Sequence, residues 1–386
     1  MILSFAAGLH AGGDFFWSQL VLIVWLLTLG RTIVNLLLVP RLRHRTPRAT
    51  PLLSVIIPAR DEERTIERTV RAMLAQSYPT LELIVVNDRS TDATAAILAS
   101  IDDPRLIVVN GVEPPYGWLG KPHALHLGAS HAKGELLLFV DADVIYAPHA
   151  VEAAVAHIEG RDVALLTLFP CFEMRGFWEH VVMPNLSTFA FSFLPIWLTN
   201  RSRFRLLAIG GGTGNLVTRE AYEKSGGHTA LADAVIDDVG LARLMRRSGR
   251  RTEIVRADDD VHVRMYHGLR EIVEGFTKNA FVAFNRSYLV ALLFLPVAVA
   301  VHILPYVLAL FGNPYAIAIV AVIALTRLIL FTSLRYGVIN ALFAHPLMIG
   351  VWCWIMLRSI WYTGIRRQVH WRGRTYDSEK TKFGAD

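Results

Sequence analysis

The chain is poor in cysteine and in charge for its length. Its 386 residues include only Cys171 and Cys353, and 19% of them are charged. Two cysteines, one of them within an apolar stretch, argue against a disulfide framework or a cysteine-bound metal. The length corresponds to roughly two to three domain-sized units. The apolar, uncharged residues are concentrated in particular stretches, so the composition is not that of an ordinary soluble enzyme.

Two common nucleotide-binding motifs are also missing. No G-x-G-x-x-G follows the first predicted strand, and no G-x-x-x-x-G-K-[ST] occurs, which argues against a dinucleotide-binding domain and a P-loop NTPase. The central region has no basic patch with interleaved aromatic residues, so we expect no nucleic-acid partner. The net charge of +6 instead suits anionic lipid head groups.

What the chain does have is four apolar stretches, at 15–39, 288–311, 314–331 and 341–356. Spanning a bilayer takes about 20 apolar residues, a length that the first two exceed and the third approaches. The fourth is shorter, which leaves a re-entrant or interfacial segment as an alternative. No basic region precedes the first stretch, so we interpret it as an anchor and not as a cleaved signal peptide.

Basic residues predict the orientation of the protein. Arginines at 41, 43, 45 and 48 directly follow the first stretch, which predicts a cytoplasmic central domain in a multi-pass protein of the cell (inner or plasma) membrane. A basic tail on the same side requires an even number of late crossings, and the sequence leaves open which late stretch does not cross. We predict an anchor at 1–40, a soluble-type domain at 41–285, membrane or interfacial helices at 286–365 and a basic polar tail at 366–386.

The central domain alternates strand and helix patterns. Apolar runs at 53–58, 83–86, 105–109 and 136–140 predict strands. Apolar residues spaced for a helix lie at 66, 70, 73 and 74, with the acidic run 61–63 expected in its first turn, and a second helix is expected over 121–132. This alternation predicts an α/β fold with a doubly wound, mainly parallel sheet.

Asp141-Ala142-Asp143 directly follows the strand predicted at 136–140. Open α/β sheets bind ligands at the carboxyl ends of their strands. Two carboxylates one residue apart at that edge can share a hard cation that substrate phosphates complete. An Asp-x-Asp alone is common, and a helix cap or a solvated turn is the alternative interpretation.

Seven motifs in order resemble those of family 2 glycosyltransferases. They are PARDEE (58–63), VNDRSTD (86–92), GKPHAL (120–125), DAD (141–143), GGGTGN (210–215), GGH (226–228) and DDVGL (237–241). The resemblance covers about 52–285 and implies a GT-A fold, with a nucleotide-sugar half at about 52–145 and an acceptor half at about 146–285. The segments MY (265–266), EGFTKN (274–279) and WRGR (371–374) resemble the membrane-bound branch that includes hopene-associated, carotenoid and ceramide glycosyltransferases.

The resemblance implies a role for each matching residue. A UDP-sugar donor would be bound by Pro58, Ala59, Arg60, Glu62, Asp88, Lys121, Asp141, Ala142 and Asp143. Within this set Asp88 would accept a hydrogen bond from the pyrimidine ring, and Asp143 with Asp141 would bind Mg²⁺ or Mn²⁺. The base would be Asp238, beside Asp237, which stands where the family usually has Glu. The loop Gly211, Gly212, Thr213 and Gly214 would let the backbone approach the sugar or the acceptor.

Structural alternatives stay open for these residues. Asp88 can cap the next helix, Lys121 can be a solvated lysine, and Asp237 with Asp238 can stabilise a helix dipole. The glycine run can be a flexible loop. The aromatic-rich segment 177–198 is either domain core or an interfacial segment that lines an acceptor channel.

The sequence thus predicts a membrane-anchored, inverting, metal-dependent glycosyltransferase. It would move one hexose from a UDP-sugar to the hydroxyl of a hopanoid-, carotenoid- or ceramide-type lipid at the bilayer. The region 277–281 lacks the Arg-Trp pair of processive synthases, which disfavours the alternative of a polysaccharide or oligosaccharide synthase. A second alternative is a non-catalytic membrane scaffold with a transferase-like domain. The sequence does not determine the sugar, the acceptor or the oligomeric state.

Overall fold

The computed structural model describes residues 13–284, 286–371 and 374–377. The strands are β1 (Leu53–Ala59), β2 (Leu81–Asn87), β3 (Leu106–Asn110), β4 (Leu136–Phe139), β5 (Val144–Tyr146), β6 (Leu165–Phe169), β7 (Cys171–Phe172), β8 (Asn215–Thr218), β9 (Thr252–Arg256), β10 (Val261–Val263), β11 (Gln368–Trp371) and β12 (Arg374–Asp377). The remainder of the predicted basic tail, and the start of the predicted anchor, lie outside the described residues.

Helices connect and flank these strands. They are α1 (Gly13–Leu38), α2 (Ile66–Leu74), α3 (Thr94–Ala99), α4 (Gly120–His131), α5 (Ala150–Ile158), α6 (Phe177–Val182), α7 (Pro184–Thr188), α8 (Ile196–Thr199), α9 (Arg219–Lys224), α10 (Asp237–Arg247), α11 (Gly268–Ala283), α12 (Tyr288–Ala298), α13 (Leu304–Leu310), α14 (Pro314–Ser333), α15 (Val338–Phe343) and α16 (His345–Ser359). Short 3-10 turns occupy Arg205–Leu207 and Gly227–Leu231, and π turns occupy Phe189–Phe193, Val299–Ile303 and Ile360–Ile365.

A seven-stranded sheet in the order β3-β2-β1-β4-β8-β6-β9 forms the centre of the domain. Strands β1 to β4 are parallel, β8 is antiparallel to both β4 and β6, and β9 is parallel to β6. Both faces are covered: Val55 and Ile57 lie in one apolar core, and Ile56 lies in the other. Burial on both faces explains why the strands are continuous apolar runs, and the predicted mainly parallel α/β fold is confirmed.

The prediction that acids 61–63 occupy the first turn of a helix is wrong. Helix α2 begins at Ile66, and Asp61 has a left-handed backbone with φ of 53°. The Asp61 carboxylate instead accepts hydrogen bonds from the N–H and hydroxyl of Thr91, and Glu63 accepts one from the N–H of Ala93. These acids join the loops that follow β1 and β2, because loop N–H groups need partners that the helix does not supply.

The chain leaves β4 through Asp141 to Asp143 and enters a second sheet. That sheet has the order β5-β10-β7, with β10 antiparallel to β5 and parallel to β7. Asp141 lies between β4 and β5, and its N–H donates to the carbonyl of Gly212 at 2.8 Å. The Asp-Ala-Asp turn therefore lies at the carboxyl edge of the central sheet, where the sequence places it.

Three described helical segments are long and apolar enough to cross a membrane: Phe16–Leu38, Tyr288–Leu310 and Pro314–Ser333. They correspond to the first three apolar stretches. The fourth stretch is part of α16, which does not meet this criterion within the described residues. Helices α1 and α14 pack together through a buried cluster, Val21, Trp25, Ile319 and Ile323.

The aromatic segment 177–198 packs against the anchor helix. Asn35 of α1 donates to the carbonyls of Phe191 and Leu194, both at 2.7 Å, and accepts from the N–H of Trp197 at 3.0 Å. Phe191 is fully buried in the main core, whereas Phe189 is exposed. No described residue of this segment lines the main cavity. Its observed role is to hold the anchor helix to the domain.

Candidate active site

A cavity of about 1150 Å³ opens at the carboxyl edge of the central sheet. One wall comes from the loops after β1, β2 and β4, the start of α4 and the start of α10. The opposite wall comes from α11 and from the segment that ends α16. The predicted residues that line it are Pro58, Ala59, Arg60, Glu62, Asp88, Lys121, Asp141, Ala142, Asp143, Asp237 and Asp238.

Asp88 is fixed at one end of the cavity. It is 4% exposed, and its N–H donates to the carbonyl of Ala59 at 2.8 Å, which continues the pairing of β2 with β1. Arg60 donates to the Asp88 carbonyl at 3.0 Å and lies 3.8 Å from its carboxylate. Arg89 Nε approaches the other carboxylate oxygen at 3.4 Å. Two guanidinium groups therefore lie beside this acid and orient it.

Lys121 connects the two acidic pairs. Its Nζ lies 2.7 Å from Asp141 Oδ1 and 3.6 Å from Asp237 Oδ1. Burial alone would lower the pKa of the lysine, but Asp141, Asp237 and Asp238 raise it above its usual value, so the ammonium stays charged. The sequence predicted that these residues share a site, although α4, β4 and α10 are far apart along the chain.

The two acids at the start of α10 differ in environment. Asp237 is 4% exposed, and burial raises the pKa of its carboxyl; Lys121 opposes this rise, and Asp238 reinforces it. Asp238 is half-buried, and its Oδ1 accepts from the N–H of Val239 at 2.7 Å. Asp237 is thus the inner, structural member of the pair, and Asp238 is the member with more access to the cavity.

The glycine loop lies behind these acids. None of its described residues lines the cavity. A Cβ on Gly210 would lie 2.0 Å from the carbonyl oxygen of Asp238, and a Cβ on Gly212 would lie 2.1 Å from Asp141 Oδ2. Thr213 accepts from Tyr146 Oη at 2.7 Å through its carbonyl. The close approach that the glycines permit is therefore to the two acids of the site.

Asp141 and Asp143 are suited to Mg²⁺ or Mn²⁺. Both carboxylates line the cavity beside each other, on the rigid turn between β4 and β5. The buried Ala142 between them accepts from the Thr69 hydroxyl at 2.9 Å through its carbonyl, which fixes the turn. No three described His, Cys, Asp or Glu side chains converge to hold a metal unaided. That donor set fits a cation completed by diphosphate oxygens.

The part of the lining that comes from α11 and from the segment that ends α16 contains residues that sequence reasoning did not assign. Asn279 of α11 and Arg358, Tyr362 and Thr363 of the α16 segment line the cavity. Their signal in the sequence is a positive charge among Trp and Tyr at the end of an apolar stretch. Arg264 also lines the cavity, but it forms two 3.0 Å bonds with Glu179, and these bonds hold the end of β10 to α6.

The family follows from a comparison with known sequences. Residues 54–226 match the family model "Glycosyl transferase family 2". This part of the chain is therefore similar to family 2 glycosyltransferases. The matched residues include Asp88, Lys121, Asp141 and Asp143, so this family identification rests on the donor side of the cavity.

Relatives of this glycosyltransferase extend the likeness beyond the domain. The 4,4'-diaponeurosporenoate glycosyltransferase of Staphylococcus aureus (strain MRSA252) is 28% identical over 346 residues, which is 85% of this chain and 89% of that protein. The enzyme of the same name from Staphylococcus haemolyticus (strain JCSC1435) is 29% identical over 61% of this chain and 63% of that protein.

A solved structure supports the fold. The mannosyltransferase PcManGT from Pyrobaculum calidifontis, in complex with GDP-Man and Mn²⁺, has a TM-score of 0.56 and 21% sequence identity, and it covers 90% of this chain and 98% of that chain. The predicted GT-A fold is therefore confirmed for this glycosyltransferase.

Proposed function

We propose that this protein is a membrane-anchored, inverting and metal-dependent glycosyltransferase. It moves a single hexose from a UDP-sugar to the hydroxyl of a lipid acceptor. The proposal rests on one arrangement: Lys121 bridges Asp141 and Asp237 in a cavity that is also lined by α11 and by the segment that ends α16. This arrangement supports a donor site and an acceptor site within the same cavity.

The donor is held on the sheet side of the cavity. Asp88 and the loop of Arg60 receive the nucleoside, and Lys121 contacts the diphosphate as a point charge. Asp143 and Asp141 would hold Mg²⁺ or Mn²⁺, which would neutralise the charge of the leaving diphosphate. The mannosyltransferase structure contains GDP-Man and Mn²⁺, and this supports a nucleotide-sugar donor and a divalent cation.

Asp238 acts as the base that receives the proton of the acceptor hydroxyl. It is more accessible than Asp237, and it belongs to the same wall as Lys121. Transfer with inversion needs one such base opposite the leaving diphosphate. Because the carboxyl of Asp237 is buried against Lys121, it positions the lysine and the start of α10 instead of taking the proton.

The acceptor is a lipid, because the segment that ends α16 lines the cavity with Arg358 and Tyr362 and also exposes apolar side chains such as Trp354 and Trp361. The S. aureus relative is named for diaponeurosporenoate, and this supports a carotenoid-type acceptor. The basic flank at 41–48 supports an orientation in which the catalytic domain is cytoplasmic. A polysaccharide synthase would need a path for a growing polymer, and no Arg-Trp pair occurs at 277–281.

Asp143→Ala tests the proposal. Full-length protein in bilayer nanodiscs receives a lipid extract, Mn²⁺ and labelled UDP-glucose, UDP-galactose, UDP-GlcNAc or GDP-mannose. We expect a labelled lipid of low molecular weight from wild type and none from the variant. Asp162→Ala, a change of an exposed acid outside the cavity that pairs with Arg203, is the matched control and should stay active.

Two results would contradict the proposal. A long labelled polymer would contradict the transfer of a single hexose and favour the alternative of a polysaccharide synthase. Full activity of Asp143→Ala would contradict the assignment of the metal to Asp143 and Asp141, the two acids of this turn that line the cavity.

A further inference from the structure

The segment that ends α16 has two chemically different sides. Its outward side carries the half-exposed apolar residues Trp354, Leu357, Trp361 and Ile365, spaced three or four residues apart. Its inward side carries Arg358, Tyr362 and Thr363, which line the cavity. A helix with tryptophans outside and an arginine beside them is typical of a membrane interface. The cavity therefore reaches lipid at this end.

Arg358 lacks an anionic partner. Its guanidinium stacks on the Tyr362 ring at 4.7 Å, and its Nε is buried without a hydrogen-bond partner. No ion pair of Arg358 occurs within the described residues. A buried guanidinium N–H without an acceptor is unfavourable, so this position is suited to an anion.

The two acids that α11 contributes to the cavity lining are already paired. Glu271 lies 3.5 Å from Arg64 and accepts the N–H of His267 at 2.8 Å. Glu274 forms a 3.0 Å pair with Arg270. The anion that Arg358 would bind must therefore come from a ligand.

Two neighbours extend the polar surface around Arg358. Lys278 lines the same wall and adds a second positive charge. Asn279 Oδ1 is buried without a hydrogen-bond partner, so it is positioned to accept from a ligand hydroxyl. Acidic side chains on this part of the wall are limited to the two paired glutamates among the described residues.

We propose that Arg358 binds the carboxylate or phosphate of an amphipathic lipid, and that it selects acidic lipids as acceptors. Arginine presents a planar pair of donors that matches such groups. The donor diphosphate is the other possible source of an anion. Its proposed place is beside Lys121, Asp141 and Asp143, whereas Arg358 belongs to the segment whose outward side carries exposed tryptophans. The inference rests on the proposed function, because it names the acceptor class of that site.

The test measures binding without turnover. Full-length protein in dodecyl maltoside is titrated with palmitate, with palmityl alcohol and with UDP plus Mn²⁺, and the shift in melting temperature gives each affinity. Wild type should bind palmitate more tightly than the alcohol. Arg358→Gln should weaken palmitate binding about tenfold or more and remove this preference, while UDP binding is unchanged. Arg358→Lys should keep part of the preference.

Arg366→Gln is the matched control. Arg366 also stacks on Tyr362, at 5.6 Å, but it is exposed and does not line the cavity. This variant should bind palmitate as wild type does. Equal palmitate binding by wild type and Arg358→Gln would overturn the inference. Loss of UDP binding in Arg358→Gln would overturn it too, by assigning the arginine to the donor. Absence of UDP–Mn²⁺ binding in wild type would instead contradict the proposed function.

Discussion

Replacement of Gly212 by alanine tests whether the glycine loop positions Asp141. The new Cβ would lie 2.1 Å from Asp141 Oδ2, whereas real Cβ contacts are essentially never shorter than 3.0 Å. The carboxylate must therefore move by about 0.9 Å or more. The backbone cannot yield easily, because the carbonyl of Gly212 accepts the N–H of Asp141 at 2.8 Å. The movement also breaks the 2.7 Å contact with Lys121.

The expected effect falls on turnover. Misplacement of a catalytic group by about 1 Å can lower the rate about 100-fold, so we expect a loss of that order in Gly212→Ala. The fold should survive, since Asp141 is only half-buried and can rotate toward the cavity. The assay is nucleotide release from a panel of nucleotide sugars with Mn²⁺, together with a melting curve in detergent.

Gly211→Ala is a matched control in the same loop. Its Cβ would meet Thr213 Oγ1 at 3.6 Å and Thr167 Cγ2 at 3.7 Å, which are ordinary van der Waals contacts. This variant should retain most of its activity. The reasoning fails if Gly212→Ala turns over like wild type, or if both variants lose activity equally, because a flexible loop would respond to either change.

Further predictions concern the base, acidity and the junction with the membrane. Asp238→Asn should leave UDP binding measurable and lower turnover about 100- to 10,000-fold; near-normal turnover would show that Asp238 is not the base. Burial and Lys121 lower the pKa of His228 to about 3. Because the unfolded chain alone takes up this proton below about pH 6.5, the free energy of unfolding should fall by about 1.4 kcal/mol per pH unit as the pH drops from there toward 3. Melting curves of His228→Gln should show a weaker dependence over pH 7 to 5, and an equal dependence would contradict this assignment. Arg256→Met should destabilise the protein by about 3–5 kcal/mol, because it leaves the buried Asp258 without its bidentate partner; an unchanged melting temperature would contradict this estimate.

The donor half of the fold could be predicted from the sequence because β1, β2 and β4 are buried on both faces and only the edge strand β3 is partly exposed. Strands β1, β2, β3 and β4 are apolar runs separated by helices with clear spacing, so their order and type follow from the pattern. The second half gives no such signal. Strand β8 has four residues, follows a glycine run and pairs antiparallel with β4, so neither its length nor its neighbours predict it.

The sequence predicted which residues form the candidate site, but not which of them contact one another. Motif order places Lys121, Asp141 and Asp238 together, yet the bridge that Lys121 forms depends on how α4 packs against β4. The glycine run illustrates the same limit. The sequence shows that something approaches the backbone closely at Gly212, but it does not say whether that is a sugar or the Asp141 side chain. Arg358 shows the same limit, because its lack of an anionic partner is visible only in three dimensions.

Two sets of hydrogen bonds fix the cavity relative to the membrane helices. Ser333, at the end of α14, accepts from Arg256 of β9 through its carbonyl at 2.9 Å and its hydroxyl at 3.1 Å. Ser359, next to Arg358, donates to the carbonyl of Thr277 at 2.5 Å and accepts the N–H of Phe281 at 2.9 Å. The central sheet is therefore tied to α14, and helix α11 is tied to α16. Under the proposed function this geometry sets how far an acceptor must reach to Asp238, so we expect acceptor selection to depend on the distance between the lipid head group and its hydroxyl as well as on charge.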